Sequence, residues 1–278
     1  MNDRLLLERH GITPKKSLGQ NFLHDPNALE KIVELAELTP DMTVVEIGPG
    51  TGNLTRVLVR EAARVIAVEL DERLVSVLRD EFAGEPRVEL VHGDILDINL
   101  ADRVGTAPYI VVANLPYYIT SAILRHSFEH APRPHRLVLT VQREVAERLV
   151  AAPGEMSLLA VSVQFYGQPR IVMHLNPAAF WPRPDVESAV VRIEVYPAPL
   201  VVVPDEQLFF RVVRAGFGQK RKQLRNSLSA GLHLDKAQAD LLLSGVGVDP
   251  QRRAETLSLE EWAAITRAVA QAAPLSSE

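Results

Sequence analysis

Thr43-Val44-Val45-Glu46-Ile47-Gly48-Pro49-Gly50-Thr51-Gly52 is a short β-branched run that breaks into a glycine turn, and Leu54 to Glu61 follows with helical spacing. Strand, glycine turn and helix in that order open a βα unit. The alternation continues outward with strand Arg64 to Val68, helix Asp71 to Phe82, strand Val88 to Val91 and strand Tyr109 to Ala113. Helix Thr120 to Glu129, strand Arg136 to Val141 and helix Glu144 to Val150 complete it. Strands this uniformly apolar, alternating with helices, predict a parallel sheet covered on both faces, a doubly wound α/β fold. Upstream, residues 1–25 read as a polar arm. Asp25-Pro26 then reads as N-cap and N1 of a helix that carries Leu29, Ile32, Val33 and Ala36 on one stripe. Met156 to Phe165 reads equally as buried helix or strand, and Pro169 to His174 with Ala189 to Val195 as two last strands forming a hairpin that closes the sheet. After Pro197-Ala198-Pro199 the chain turns helical, at Asp205 to Phe217, Gln219 to Leu232, Lys236 to Ser244 and Leu259 to Ala273. The expected division is a domain over 1–200 and a small all-helical domain over 201–278.

With 278 residues, 47% of them apolar, the chain has ample material for a core, and its 23% charged residues place it outside the disordered and collagenous classes. No apolar run approaches the roughly 20 residues of a membrane span. The first residues are too polar for a secretory signal, so a cytoplasmic protein is the expectation. The absence of cysteine excludes disulfides, thiolate zinc sites and cysteine nucleophiles, cytosine C5 methylation among them, and no metal is expected. The formal net charge of −5 suggests no nucleic-acid partner, but its distribution does. Arg211, Arg214, Lys220, Arg221, Lys222 and Arg225 lie in a stretch, Gln207 to Leu234, that holds no acidic residue. Such a patch is either a solvated face or a phosphate-binding surface. No coiled-coil pattern is present, and a monomer is expected.

The glycine turn lies where an open α/β sheet binds ligands, beyond the carboxyl end of a strand. Glycines let the backbone approach a ligand closely, and Glu69 at the end of the next strand is placed to accept from ribose hydroxyls. A nucleoside cofactor follows. The spacing Glu46-x-Gly48-x-Gly50-x-Gly52 departs from the dinucleotide form G-x-G-x-x-G, which counts against an NAD-dependent oxidoreductase, and resembles the S-adenosylmethionine loop of class I methyltransferases. Asp94, after the third strand, is a candidate acceptor for an adenine amino group, or a simple helix cap. Asn114-Leu115-Pro116-Tyr117 ends the fourth strand and resembles the motif of enzymes that methylate exocyclic amines of bases. The nitrogen lone pair of such an amine is delocalised into the ring, so it is a poor nucleophile. Two acceptors, the Asn114 side-chain oxygen and the Leu115 carbonyl, can bind its two hydrogens and favour the pyramidal form. Pro116 shapes the turn, and Tyr117 can stack on the base. Positioning and electrostatics then carry the reaction, without a tuned general base. Phe180, in Phe180-Trp181-Pro182-Arg183-Pro184, is a second candidate for holding a base taken out of its stack, with Trp181 read as core.

Together with Lys16-Ser17-Leu18-Gly19-Gln20-Asn21-Phe22-Leu23, Phe180-x-Pro182-x-Pro184-x-Val186-x-Ser188, Phe217-x-x-Lys220-Arg221-Lys222-x-Leu224-x-Asn226-x-Leu228 and Asp249-Pro250 with Arg253-Ala254-Glu255, these motifs resemble the small-subunit ribosomal RNA adenine dimethyltransferases, the KsgA family. The resemblance runs from about residue 13 to 262. It implies a class I methyltransferase, Rossmann-like sheet with a helical rRNA-binding domain. The implied activity is N6,N6-dimethylation of two adjacent adenosines near the 3′ end of small-subunit (16S) rRNA, with S-adenosyl-L-methionine as cofactor and the assembling (pre-30S) subunit as partner. It further implies that Asn21 and Leu23 close over the cofactor, Gly48 and Gly50 border its methionine portion, Glu69 takes the ribose and Asp94 the adenine. Asn114 would touch both cofactor and target amine, Tyr117 and Phe180 would sandwich the base, and Arg211, Arg214, Lys220, Arg221, Lys222 and Arg225 would grip phosphates. Lys220 stands where the family pattern leads one to expect Arg, an exchange that keeps a phosphate contact but not a bidentate one. Two other readings share parts of the pattern: a large-subunit rRNA adenine N6-methyltransferase of the macrolide-resistance type, and a non-catalytic ribosome assembly factor.

Overall fold

A computed structural model of the chain describes residues 3–15, 18–116, 119–130 and 132–272. They fall into two compact units, one of residues 1–146 with 168–195 and one of residues 147–167 with 196–278.

In the first unit the elements run α1 (Asp3–Arg9), β1 (Phe22–Leu23), α2 (Pro26–Ala36), β2 (Thr43–Ile47), α3 (Asn53–Glu61), β3 (Arg64–Glu69), α4 (Glu72–Glu81), β4 (Val88–His92), α5 (Ala101–Val104), β5 (Tyr109–Asn114), α6 (Thr120–Glu129), β6 (Arg136–Gln142) and α7 (Arg143–Leu149). The last of these runs over the boundary into the second unit. After α8 (Leu158–Tyr166) the sheet resumes with β7 (Gly167–Leu175), β8 (Phe180–Trp181) and β9 (Ser188–Val195). Among the described residues seven strands form one sheet in the order β4-β3-β2-β5-β6-β9-β7, and β1 pairs with β8 in a separate two-stranded one. The pairs β2–β3, β3–β4, β2–β5 and β5–β6 are parallel, and β9 joins β6 antiparallel. Val44, Val45, Val65, Ile66, Val111 and Val112 are all essentially buried, as a sheet covered on both faces requires. The winding reverses between β2 and β5, and the carboxyl ends of these two strands form the switch point where open α/β sheets take ligands. Asp25 caps α2 as its sequence predicts, accepting from the amides of Asn27 and Ala28 at 2.9 and 3.2 Å, with Pro26 in the first turn.

Among its described residues the polar arm holds a helix and a short strand, α1 and β1. In α1, Leu6 and Leu7 are buried and share an apolar cluster with Ile12, Phe22, Leu74 and Val77, against which Trp181 packs.

The second unit holds α8, α9 (Glu206–Phe217), α10 (Leu224–Leu232), α11 (Lys236–Gly245) and α12 (Leu259–Ala272). Its boundary differs from one cut near residue 200, because residues 147–167 join the C-terminal helices. The reason is aromatic packing. Phe165, in α8, stacks on Phe209 with centroids 4.5 Å apart and meets Phe210 edge-on at 5.2 Å, while the Tyr166 hydroxyl donates to Glu206 at 2.7 Å. Met156 to Phe165, open between helix and strand in sequence, is helical from Leu158. Gly216 admits the buried Trp262, whose ring would lie 2.3 Å from a Cβ there.

Candidate active site

The cleft opens at the switch point. Gly48, Gly50 and Gly52 all take positive φ, at +70°, +60° and +78°, a conformation that side chains other than glycine adopt at a cost. Gly48 has no atom within 4 Å of where a Cβ would stand, whereas at Gly50 a Cβ would come 2.8 Å from the Phe22 ring. The loop therefore leaves open space on one side and is roofed by the N-terminal segment on the other.

Glu69 ends β3 and is 6% exposed. Its Oε2 accepts from the Gly50 amide at 3.0 Å and its Oε1 from the Asp71 amide at 2.9 Å, which leaves each oxygen a further acceptor site for a diol. Burial pushes this carboxyl up, against the pull of those amides. Glu46, inside β2, is fully buried, and burial raises it to about 8; the Thr55 hydroxyl donates to it at 2.6 Å and pulls the other way. Asp71, two residues beyond Glu69, is held well below the usual carboxylate range by the Arg73 guanidinium, which donates at 2.6 Å, with Gln20 donating at 3.0 Å. Asp94 is half-buried on the cleft wall, with Oδ1 accepting from the Leu96 amide at 3.0 Å. Apolar side chains, Ile47, Leu70, Ile95 and Leu115 among them, complete the walls.

Asn114 ends β5, and its Nδ2 donates to the Asn21 carbonyl at 2.9 Å. That bond fixes the orientation of the amide, whose Oδ1 is its acceptor for a ligand. The Leu115 amide donates to Thr140 on β6 at 3.1 Å, which fixes the turn that follows the strand. Asn21, Leu23, Gly48, Gly50, Glu69, Asp94, Asn114, Leu115 and Pro116 all line this one cleft. Tyr117 lies outside the described residues.

Phe180 is not among the lining residues. Strand β8 pairs Phe180 with Leu23, and the ring belongs to the apolar cluster that contains Leu29, Ile32 and Leu175, leaving it 3% exposed. It is core here rather than an open stacking face. Two residues that the sequence reasoning did not single out are Asn53 and Asp3: the Asn53 amide donates to the Asp3 carboxylate at 2.8 and 3.0 Å and to the Leu23 carbonyl of β1 at 3.1 Å.

In the helical unit Arg211 and Arg214 are exposed one turn apart on α9, and Lys220, Arg221 and Lys222 are exposed in the turn before α10. Among the described residues none of these five has an ion-pair partner, whereas Arg225 meets Asp240 at 3.7 Å. The base of the basic turn is fixed by the Asp249–Glu255 segment: the amides of Leu224 and Arg225 donate to the carbonyls of Arg252 and Pro250, at 2.7 and 3.2 Å.

A buried carboxylate at the end of β3, a glycine turn without phosphate-binding spacing and the Asn114 amide at the end of β5 suit a sulfonium nucleoside, so the fold and cleft are those of an S-adenosylmethionine-dependent methyltransferase. Residues 11–271 match the family described as ribosomal RNA adenine dimethylase, and the chain belongs to that family. Proteins named ribosomal RNA small subunit methyltransferase A are similar to it. That of Dehalococcoides mccartyi (strain CBDB1) is 46% identical over 92% of this chain and 89% of its own length, and that of Moorella thermoacetica 45% identical over 94% of each. Among solved structures, the 23S rRNA methyltransferase ErmE aligns with a TM-score of 0.71 and 29% identity over 90% of this chain and all of its own. A dimethyladenosine transferase from Plasmodium falciparum, 24% identical, shares the fold with a TM-score of 0.75 over 88% of this chain and 95% of its own.

Proposed function

We propose that the enzyme converts two adjacent adenosines near the 3′ end of small-subunit rRNA to N6,N6-dimethyladenosine, working in the cytoplasm as a monomer on the assembling subunit. The observation that carries the chemistry is the Asn114 amide. Its nitrogen is engaged by Asn21 at 2.9 Å, so its oxygen, with the Leu115 carbonyl, can accept the hydrogens of an exocyclic amine. S-adenosylmethionine supplies the methyl group from its sulfonium. Glu69 holds the ribose, Asp94 the adenine, and the strap over Asn21–Leu23 shields the cleft from water. No side chain has to remove a proton before transfer, since the amine loses it afterwards; the protein contributes position and acceptors. Tyr117 is assigned the stacking role against the target base. Arg211, Arg214, Lys220, Arg221 and Lys222 hold rRNA phosphates, which sets register without reading sequence. The small-subunit assignment is supported by relatives of that name at 45 and 46% identity, against 29% for the large-subunit enzyme.

The test is methyl incorporation from labelled S-adenosylmethionine into undermethylated small subunits, with large subunits and naked rRNA in parallel and nucleoside analysis of the products. Dimethyladenosine confined to small subunits is the expected result. Its appearance only in large-subunit RNA would select the resistance-type reading, and binding without methylation would leave an assembly factor.

A further inference from the structure

Asn53, the first residue of α3, is 9% exposed and lies where three chain segments meet. Its Nδ2 donates to both carboxylate oxygens of Asp3, at 2.8 and 3.0 Å, and to the Leu23 carbonyl at 3.1 Å. One amide hydrogen is thus shared by the Asp3 carboxylate and the other holds β1. The direction of this amide is set from the far side. The Asn53 Oδ1 accepts from Arg56 at 3.1 Å, and Arg56 is itself held by Glu81 at 2.6 Å and lies over the Phe82 ring. Strand β1 is pinned along one edge by β8, through Leu23↔Phe180, and on its other side by Asn53. Two residues before that anchor, the Asn21 carbonyl takes the amide hydrogen of Asn114.

We propose that Asn53 is a positioning residue for methyl transfer: by holding the Leu23 carbonyl it fixes the strap, and through the Asn21 carbonyl it fixes which atom of the Asn114 amide faces the target amine. The chain of contacts is Arg56, Asn53, Leu23, Asn21, Asn114; every link is a hydrogen bond except Leu23 to Asn21, which is two residues of backbone through Phe22. Asp3 completes the site by clasping α1 against the same amide. Asn53 does not touch the reacting atoms, so its loss acts on geometry. Displacements of about 1 Å at a reacting centre cost on the order of a hundredfold in rate, which sets the scale.

This rests on the reading of Asn114 as the acceptor of the target amine. The decisive comparison uses the full chain, undermethylated small subunits and saturating S-adenosylmethionine, with turnover per folded molecule measured beside thermal stability. Asn53→Ala removes both donors and should lower kcat roughly ten- to a hundredfold. The double variant Asp3→Asn with Asn53→Asp reverses the polar pair: Asn at position 3 can donate to Asp at position 53, restoring the clasp on α1, but nothing then donates to the Leu23 carbonyl. Its melting temperature should recover while its kcat stays low. Recovery of kcat in the double variant would show that docking of α1 is all that matters, and wild-type kcat in Asn53→Ala would overturn the proposal outright. Should Asn53→Ala fail to fold, the double variant alone decides. An inactive wild-type enzyme would instead refute the substrate reading, a result distinct from an active wild type that Asn53→Ala matches.

Discussion

Gly48 and Gly50 offer a paired perturbation whose outcome follows from the geometry. Both sit at positive φ, +70° and +60°, so replacing either by Ala incurs the left-handed penalty of about 1–2 kcal/mol. At Gly48 a Cβ meets no atom within 4 Å, and the penalty ends there. At Gly50 the Cβ would come 2.8 Å from one ring carbon of Phe22 and 3.0 Å from another. That ring is buried in the cluster of Leu6, Leu7, Leu74 and Val77, so it has little room to retreat, and forced overpacking of this kind adds about 1–3 kcal/mol. The expected ordering is a loss of about 1–2 kcal/mol for Gly48→Ala and about 2–5 kcal/mol for Gly50→Ala, read from urea unfolding of the ligand-free protein. Because Phe22 lies in the strap, Gly50→Ala should also lift β1 and weaken S-adenosylmethionine binding in calorimetry. Gly48 borders the cleft itself, so its Cβ affects affinity directly; stability, not affinity, separates the two. Equal stability losses would refute the claim that the Phe22 ring roofs the loop.

Asn114→Ala should leave the melting temperature close to wild type and abolish methyl transfer; an active variant would remove the amine-accepting role. Replacing Lys220, Arg221 and Lys222 with Ala should flatten the salt dependence of rRNA binding by up to about 3 units of slope, while Arg225→Ala, whose charge Asp240 already meets, changes it less; an unchanged slope in the triple variant returns the turn to a solvated face. Phe180→Ala, which empties a buried site, should cost about 3–5 kcal/mol of stability, and a variant of wild-type stability with lost turnover would instead restore its stacking role. Glu46, raised to about 8 from 4.5, binds its proton more tightly folded than unfolded, so it lowers stability as pH rises through that window; Glu46→Gln should flatten the urea midpoint between pH 5 and 9, and an unaltered pH dependence would show that the carboxyl titrates normally.

The doubly wound core was legible because its strands are apolar, largely β-branched runs and two of its helices, α2 and α4, start on capping aspartates, and both signals are local. What escaped were features made by distant pairing. Strands β1 and β8 are two residues each, too short for any periodicity, and exist because they meet one another. Helix α1 shows only Leu5-Leu6-Leu7, a single turn of apolar residues without a stripe. The cut near residue 200 marked where the composition changes, but membership of a unit is decided by contact, and Phe165 stacks on Phe209 across the sheet strands that separate them in sequence. Phe180 belongs with these cases. Its motif announces an aromatic stiffened by prolines, but whether the ring faces a cleft or a core depends on its partner strand.

The candidate site divides the same way. The glycines, Glu69 and Asn114 were legible as candidates because their residue types recur at strand ends in the order that a nucleoside-binding cleft calls for. The orientation of Asn114 was not. It is set by the carbonyl of a residue 93 positions earlier, and a carbonyl is the one group every residue carries, so no residue type in the sequence marks it. Asn53 and Asp3 were hidden for a related cause: an Asn at a helix start reads as a cap, and only the fold reveals that its amide points away from the helix toward the strap. Residues that perform chemistry can therefore be found by type and spacing, while residues that aim them are found only when the segments they join are brought together.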